Sequence, residues 1–154
     1  MNHIKIALSL LLLATLVSCG KKEILLAKAM VNGTPTTFDV NSYAIKNVHL
    51  NNDGSLMYQN YIISCTGGQG GPFFWANDST GCCSHFYLED FVLCCYSVND
   101  DNCSVIDAEL MITKESSDLL CGEFCLTALR GETDTIHVTD GEFMISLEVN
   151  KGPY

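Results

Sequence analysis

Short strand-like segments separated by tight-turn sequences run through the chain from residue 27 to its end. Asn32-Gly33, Asn52-Asp53-Gly54 and Asp140-Gly141 accept the positive φ angles of tight β-turns. No segment after residue 24 keeps a helical period of 3.6 over three turns. About eight short strands at near-regular spacing predict an all-β domain, an antiparallel sandwich, with a closed or partly open barrel as the alternative.

Two hairpins are predicted, one at each end of the domain. The first pairs Ala27–Val31 with Thr34–Phe38, and Pro35 places its second strand at a sheet edge because proline cannot donate to a ladder. The second pairs residues 135–139 with residues 142–147 across Asp140-Gly141. Period-two alternation in that second hairpin predicts one buried face, made of Ile136, Val138, Phe143, Ile145 and Leu147.

The first 19 residues have the pattern of an export signal. A short basic start with Lys5 precedes the apolar run of residues 6–14, which is shorter than the about 20 residues that span a bilayer. Leu16-Val17-Ser18-Cys19 resembles a bacterial lipobox, in which the signal is cut before the cysteine and that cysteine is acylated. We therefore expect a signal peptide over 1–18, a lipidated Cys19 with a short tether over 19–24, and a single β domain over 25–154.

The charge balance restricts the partners. Lys5 is the only charged residue of 1–18, so the remaining chain has seven Lys and Arg against 18 Asp and Glu, a net charge of −11. Nucleic-acid binding relies on clustered cations, so this balance predicts no nucleic-acid partner. It also excludes adhesion to anionic headgroups by charge alone, which leaves the lipid on Cys19 as the predicted contact with the membrane.

The nine cysteines are many for a chain of 154 residues. An even number of cysteines in an exported domain is typical of a disulfide framework, so a disulfide-rich domain is predicted once Cys19 is assigned to lipid. A soft-metal or redox site is the alternative, although C-x-x-C is absent and adjacent strand residues point to opposite faces. The eight remaining cysteines are Cys65, Cys82, Cys83, Cys94, Cys95, Cys103, Cys121 and Cys125.

Catalytic chemistry finds little support in the sequence. A cysteine nucleophile needs a free thiolate beside an oriented base, and the candidate bases are His49, His85 and His137. His137 falls opposite the predicted buried face, and His85 follows cysteines that we expect to be oxidised. We therefore predict a non-enzymatic protein with no catalytic residue, no metal ligand and no cofactor apart from the covalent lipid.

A glycine-rich loop precedes three consecutive aromatic residues. Residues 65–71 lead into Pro72 and then into Phe73, Phe74 and Trp75. Strand alternation buries Phe74 and exposes Phe73 and Trp75, or the reverse. Aromatic side chains dominate binding hot spots, so these three are the predicted ligand contact, with a purely structural core role as the alternative.

Three short motifs resemble a known family. They are Ala29–Pro35, which contains Val-Asn-Gly, Gly122–Ala128, and Thr139–Phe143, which contains Thr-Asp-Gly-Glu-Phe. They are similar to motifs in small Bacteroidota lipoproteins of unknown function, and they lie near the two ends of the domain. The resemblance implies a lipid-anchored, mostly β domain without catalytic residues to carry over. The cysteines are a departure from that family's pattern.

Together these observations predict an envelope lipoprotein that acts as a binding or interaction module. The expected partner is a glycan or an envelope protein, and the alternative function is thiol-based metal binding or redox chemistry. Gly20 rather than an acidic residue follows Cys19, which by resemblance to lipoprotein sorting rules favours the outer membrane. The periplasmic and the outer face both stay open.

Overall fold

The computed structural model describes residues 26–38, 42–81, 83–99 and 101–153. These residues form ten β-strands, and a single 3₁₀ turn at Leu88–Asp90 separates the sixth strand from the seventh. The strands are β1 Leu26–Val31, β2 Thr34–Phe38, β3 Tyr43–Leu50, β4 Leu56–Ser64, β5 Gly70–Asp78, β6 His85–Tyr87, β7 Phe91–Val98, β8 Asp101–Glu115, β9 Leu119–Arg130 and β10 Asp134–Pro153.

The sheet closes on itself. In the order β10-β3-β4-β5-β7-β8 each strand pairs with the next, and β9 pairs with both β8 and β10, so seven strands form a ring. All neighbours are antiparallel except β10 and β3, which run parallel. The β1–β2 hairpin extends the sheet beside β10, and β6 pairs with β8. The predicted all-β class is confirmed.

The core lies inside this ring, where opposite parts of the sheet pack together as they do in a sandwich. Phe74 of β5 and Phe124 of β9 lie on strands that are not neighbours, yet their ring centroids are 5.7 Å apart in an edge-on contact. Phe86 of β6 and Tyr61 of β4 meet in the same way at 6.0 Å. Aromatic contacts of this geometry add to the free energy gained from burial alone.

The first predicted hairpin is confirmed. Val31 pairs with Thr34, and the two turn residues Asn32 and Gly33 have φ angles of 48° and 77°, as a type I′ turn requires. Pro35 lies on β2, which is the edge strand at one end of the sheet order. The missing N–H of the proline therefore costs no ladder bond with a further strand.

The second predicted hairpin is wrong. Residues 134–153 form one continuous strand, and Asp140 (φ 51°) makes a bulge rather than a turn. A Cβ on Gly141 would lie 2.4 Å from the carbonyl oxygen of Phe124, so this glycine lets β9 approach closely. The bulge inserts one residue and keeps the apolar side chains on one face, so the predicted buried set, Ile136, Val138, Phe143, Ile145 and Leu147, is buried as expected.

The predictions for the start of the chain concern residues outside those that the structure describes. These are the signal peptide over 1–18, the lipidated Cys19 and the tether over 19–24. In the part of the chain that the structure describes, no helix has the length and apolar character that crossing a bilayer requires.

Candidate functional sites

An apolar row crosses the outer face of four neighbouring strands. Ile45 of β3 lies opposite Ile62 of β4, Ile62 lies opposite Trp75 of β5, and Trp75 lies opposite Leu93 of β7. Trp75 is 36% exposed and Leu93 is 48% exposed. We call these four residues the Trp75 row. Outward positions of an antiparallel sheet are normally polar, so the row requires an explanation.

The three predicted contact residues are divided between the two faces of β5. Phe74 is fully buried and belongs to the core, where it packs against Phe91 and Phe124. Phe73 and Trp75 point outward, as one of the two predicted alternations requires, and Phe73 is half-buried between Ser64 and Cys95. Of the three, Trp75 is the residue most available to a partner.

The predicted disulfide framework is absent from the described residues. Seven cysteines are free thiols, and the eighth, Cys82, lies outside the described residues. The strand register excludes one pairing, because Cys121 and Cys125 lie four residues apart on β9, about 13 Å in an extended strand, and a disulfide needs Cα atoms within about 7 Å. The free cysteines are Cys65, Cys83, Cys94, Cys95, Cys103, Cys121 and Cys125.

Burial makes several of these thiols poor nucleophiles. It raises the pKa of Cys65 to about 12, and burial together with the neighbouring Cys95 raises the pKa of Cys94 to about 12. The pKa of Cys125 is raised by burial and by the carboxylates of Glu109 and Asp107. Thiol chemistry proceeds through the thiolate, so at neutral pH these three are suited to packing rather than to redox reactions.

No group of three or more His, Cys, Asp or Glu side chains among the described residues is arranged to hold a metal ion. His85 Nε2 contacts Glu109 Oε1, and its ring stacks on Tyr87 with a centroid distance of 4.8 Å. His137 is exposed on the outer face of β10. The two histidines therefore lie in separate surroundings rather than in one cluster.

A polar network that the sequence did not predict closes one end of the ring. Tyr61 Oη donates a 2.8 Å hydrogen bond to Glu115 Oε2, and Lys46 Nζ lies 2.7 Å from Glu115 Oε1. Gln59 Nε2 donates to Asp78 Oδ2 at 2.7 Å. Among the described residues every buried side-chain N or O atom has a hydrogen-bond partner, which identifies this network as part of the architecture.

Asp78 anchors the loop that follows β5. Burial opposes its charged form, but hydrogen bonds from the Thr80 hydroxyl, from Gln59 and from the backbone N–H groups of Thr80 and Cys83 outweigh this and lower the pKa of Asp78. Its Oδ1 also accepts a 2.9 Å bond from Gly81 N. A carboxylate so fully engaged with its own loop has a structural role.

Comparison with protein-family models, with curated proteins and with solved structures finds no match for this chain.

Proposed function

We propose that this chain is a lipid-anchored lipoprotein of the cell envelope whose β domain is a non-enzymatic binding module. The lipobox-like sequence at Cys19 supports the anchor, and Gly20 supports outer-membrane sorting. The Trp75 row carries the proposed binding function, because it places a tryptophan among aliphatic side chains on the solvent face of a sheet whose inner face already forms the core.

An envelope protein fits the Trp75 row better than a glycan. Ile45 and Ile62 continue the row on one side of Trp75, and Leu93 continues it on the other, so the surface beside the indole is aliphatic. A sugar stacked on an indole needs polar groups beside the ring, whereas the centre of a protein interface is apolar around an aromatic hot spot. The domain's acidic charge favours a partner with a basic rim around that centre.

Site-specific photo-crosslinking tests this proposal in the cells that produce the chain. A photoreactive amino acid at Leu93 should give one discrete cross-linked band, because Leu93 lies beside Trp75 at the exposed end of the row. Adding Trp75→Ala should reduce that band at least about 10-fold, which is the loss of a hot-spot side chain. The free energy of unfolding should fall by only about 1 kcal/mol or less, because Trp75 contributes cross-strand pairing rather than core packing.

Tyr87 provides the matched control. It is an aromatic residue with 48% exposure on β6, which pairs with β8 and lies outside the row. Tyr87→Ala should leave the cross-linked band unchanged. If Trp75→Ala unfolds the domain, or if the band persists in a folded Trp75→Ala protein, the Trp75 row is not the binding surface.

A further inference from the structure

The end of the ring opposite the Tyr61–Glu115 network holds a cavity of about 320 Å³. The β1–β2 hairpin, the loop before β5 and the turn between β9 and β10 surround it. Its apolar floor is formed by Phe38, Tyr96 and Ile136, which are all buried. Polar groups line its rim, among them Arg130 and Asp134. We call this the end cavity; its size and its lining match the lower range of small-molecule sites, about 300–1,000 Å³.

The glycine-rich loop forms a fixed wall of the end cavity. Gly67 and Gly70 exchange backbone hydrogen bonds of 2.8 and 3.1 Å, and Asn99 N donates to Gln69 O at 3.0 Å. A Cβ on Gly70 would lie 2.1 Å from Ser97 O, so the loop is pressed against β7 as only glycine permits. This loop precedes the three aromatic residues that the sequence predicts as a ligand contact. In the structure, the loop's own glycines line the end cavity.

The charges at the rim neutralise each other. Arg130 Nε donates a 2.8 Å hydrogen bond to Asp134 Oδ2, and Arg130 Nη2 contacts the same oxygen. A guanidinium has five N–H donors, more than these two contacts use, and Asp134 Oδ1 accepts neither of them. The rim therefore offers donors and an acceptor side by side without net charge. The paired rim therefore provides no unpaired counter-charge for a charged ligand.

We propose that the end cavity binds a small neutral saccharide. Hydroxyl groups both donate and accept hydrogen bonds, which matches the paired Arg130 and Asp134, and the C–H face of a sugar ring matches the apolar floor. The site is separate from the Trp75 row, which lies on the outer face of β3, β4, β5 and β7, so this inference goes beyond the proposed function.

Saturation-transfer NMR on the mature full-length chain in detergent tests the proposal. The probes are glucose, galactose and N-acetylglucosamine as neutral sugars, with glucuronate and glucosamine as charged counterparts. At least one neutral sugar should bind with a dissociation constant of about 1 mM or tighter, and the charged counterparts should bind at least about 10-fold more weakly. No signal from any neutral sugar at about 10 mM, or tighter binding of a charged one, would overturn the proposal.

The variant Gly68→Leu tests whether the sugar binds in the end cavity. Gly68 lines the end cavity, has no atom within 4 Å of a Cβ position and does not have a positive φ, so a side chain there meets open space. In a variant shown by circular dichroism to be folded, the sugar affinity should fall at least about 10-fold. Gly152→Leu, at a strand glycine that also faces open space, should bind as the unaltered chain does.

Two further variants test whether the sugar binds in the end cavity or on the Trp75 row. Arg130→Gln removes the guanidinium charge and reduces the side-chain N–H donors of residue 130 from five to two, so it should weaken binding even if Gly68→Leu fails to fold. Trp75→Ala should leave sugar binding unchanged. If Trp75→Ala abolishes the binding while Gly68→Leu or Arg130→Gln retains it, the sugar stacks on the Trp75 row and the end cavity is not its site.

Discussion

The hydroxyl of Tyr61 donates a 2.8 Å hydrogen bond to Glu115 Oε2, although 54 positions separate the two residues in the sequence. Tyr61 is only 3% exposed and lies on β4, whereas Glu115 is the last residue of β8. Lys46 of β3 pairs with the other carboxylate oxygen at 2.7 Å. One carboxylate thus joins three strands at an end of the ring. Burial and the Glu115 carboxylate together raise the pKa of Tyr61, so the phenol stays a donor.

Tyr61→Phe should lower the free energy of unfolding by about 1–2 kcal/mol, because a buried hydrogen bond to a charged acceptor is lost while the ring keeps its packing. Urea denaturation followed by fluorescence measures the change. Tyr43→Phe is the control, because Tyr43 is 40% exposed and its hydroxyl can bond to water. Equal stability of the Tyr61→Phe protein and the unaltered chain would show that the bond contributes nothing net.

Gly122 lies at a close contact between β9 and its two neighbouring strands. A Cβ there would come within 2.4 Å of both Met111 O and the ring of Phe143. Gly122→Ala should therefore destabilise the domain by about 1–3 kcal/mol through overpacking. Gly152→Ala, in β10, meets open space and should change stability by about 0.5 kcal/mol or less. Thermal unfolding of the two variants side by side distinguishes steric crowding from the general effect of adding a methyl group to a strand.

The elements that the sequence predicted correctly are those fixed by local chemistry. Asn32-Gly33 sets a type I′ turn by itself, and alternation alone identified the buried face of β10. Asp140-Gly141 carries a similar local signal, yet β9 pairs with the residues on both sides of it and holds the chain extended through a bulge. Partner strands decide between turn and bulge, and a single sequence does not show which strands are partners.

The candidate sites also combine features that the local sequence determines with features that depend on which strands are neighbours. Alternation allowed an exposed Trp75, but its aliphatic neighbours Ile62 and Leu93 are adjacent only through the register of three strands. The hydrogen bond between Tyr61 and Glu115 likewise depends on how the ring closes, and so does the end cavity. The disulfide prediction rested on an even number of cysteines and on export, which carry no information about the distances between residues.

Cys19→Ala tests the anchor. The lipobox-like sequence predicts that acylation depends on the Cys19 thiol, so palmitate labelling in the cells that produce the chain should fall to background. Cys83→Ala is the matched control, because it removes a cysteine within the β domain and should keep full labelling. Labelling that survives Cys19→Ala would place the lipid elsewhere or show that the resemblance to a lipobox is accidental.

The buried thiol of Cys65 should make the domain less stable in alkali. Burial raises its pKa from 9.0 to about 12, so the folded chain holds a proton that the unfolded chain releases. The resulting stabilisation is fully present below pH 9 and is lost as the pH rises toward 12, by up to about 1.4 kcal/mol per pH unit.

Cys65→Ala removes the pH dependence of stability that comes from the Cys65 thiol, and it also removes one buried sulfur atom. At about pH 7 the variant should be the less stable protein, because a small cavity replaces the thiol, and the difference from the unaltered chain should narrow by about pH 11. Urea denaturation at the two pH values, under reducing conditions, measures both differences. Cys94 is half-buried and its pKa is also raised to about 12, so the stability difference between Cys94→Ala and the unaltered chain should likewise narrow as the pH rises. A difference that stays constant across this range would mean that the Cys65 thiol ionises as easily in the folded chain as in the unfolded one.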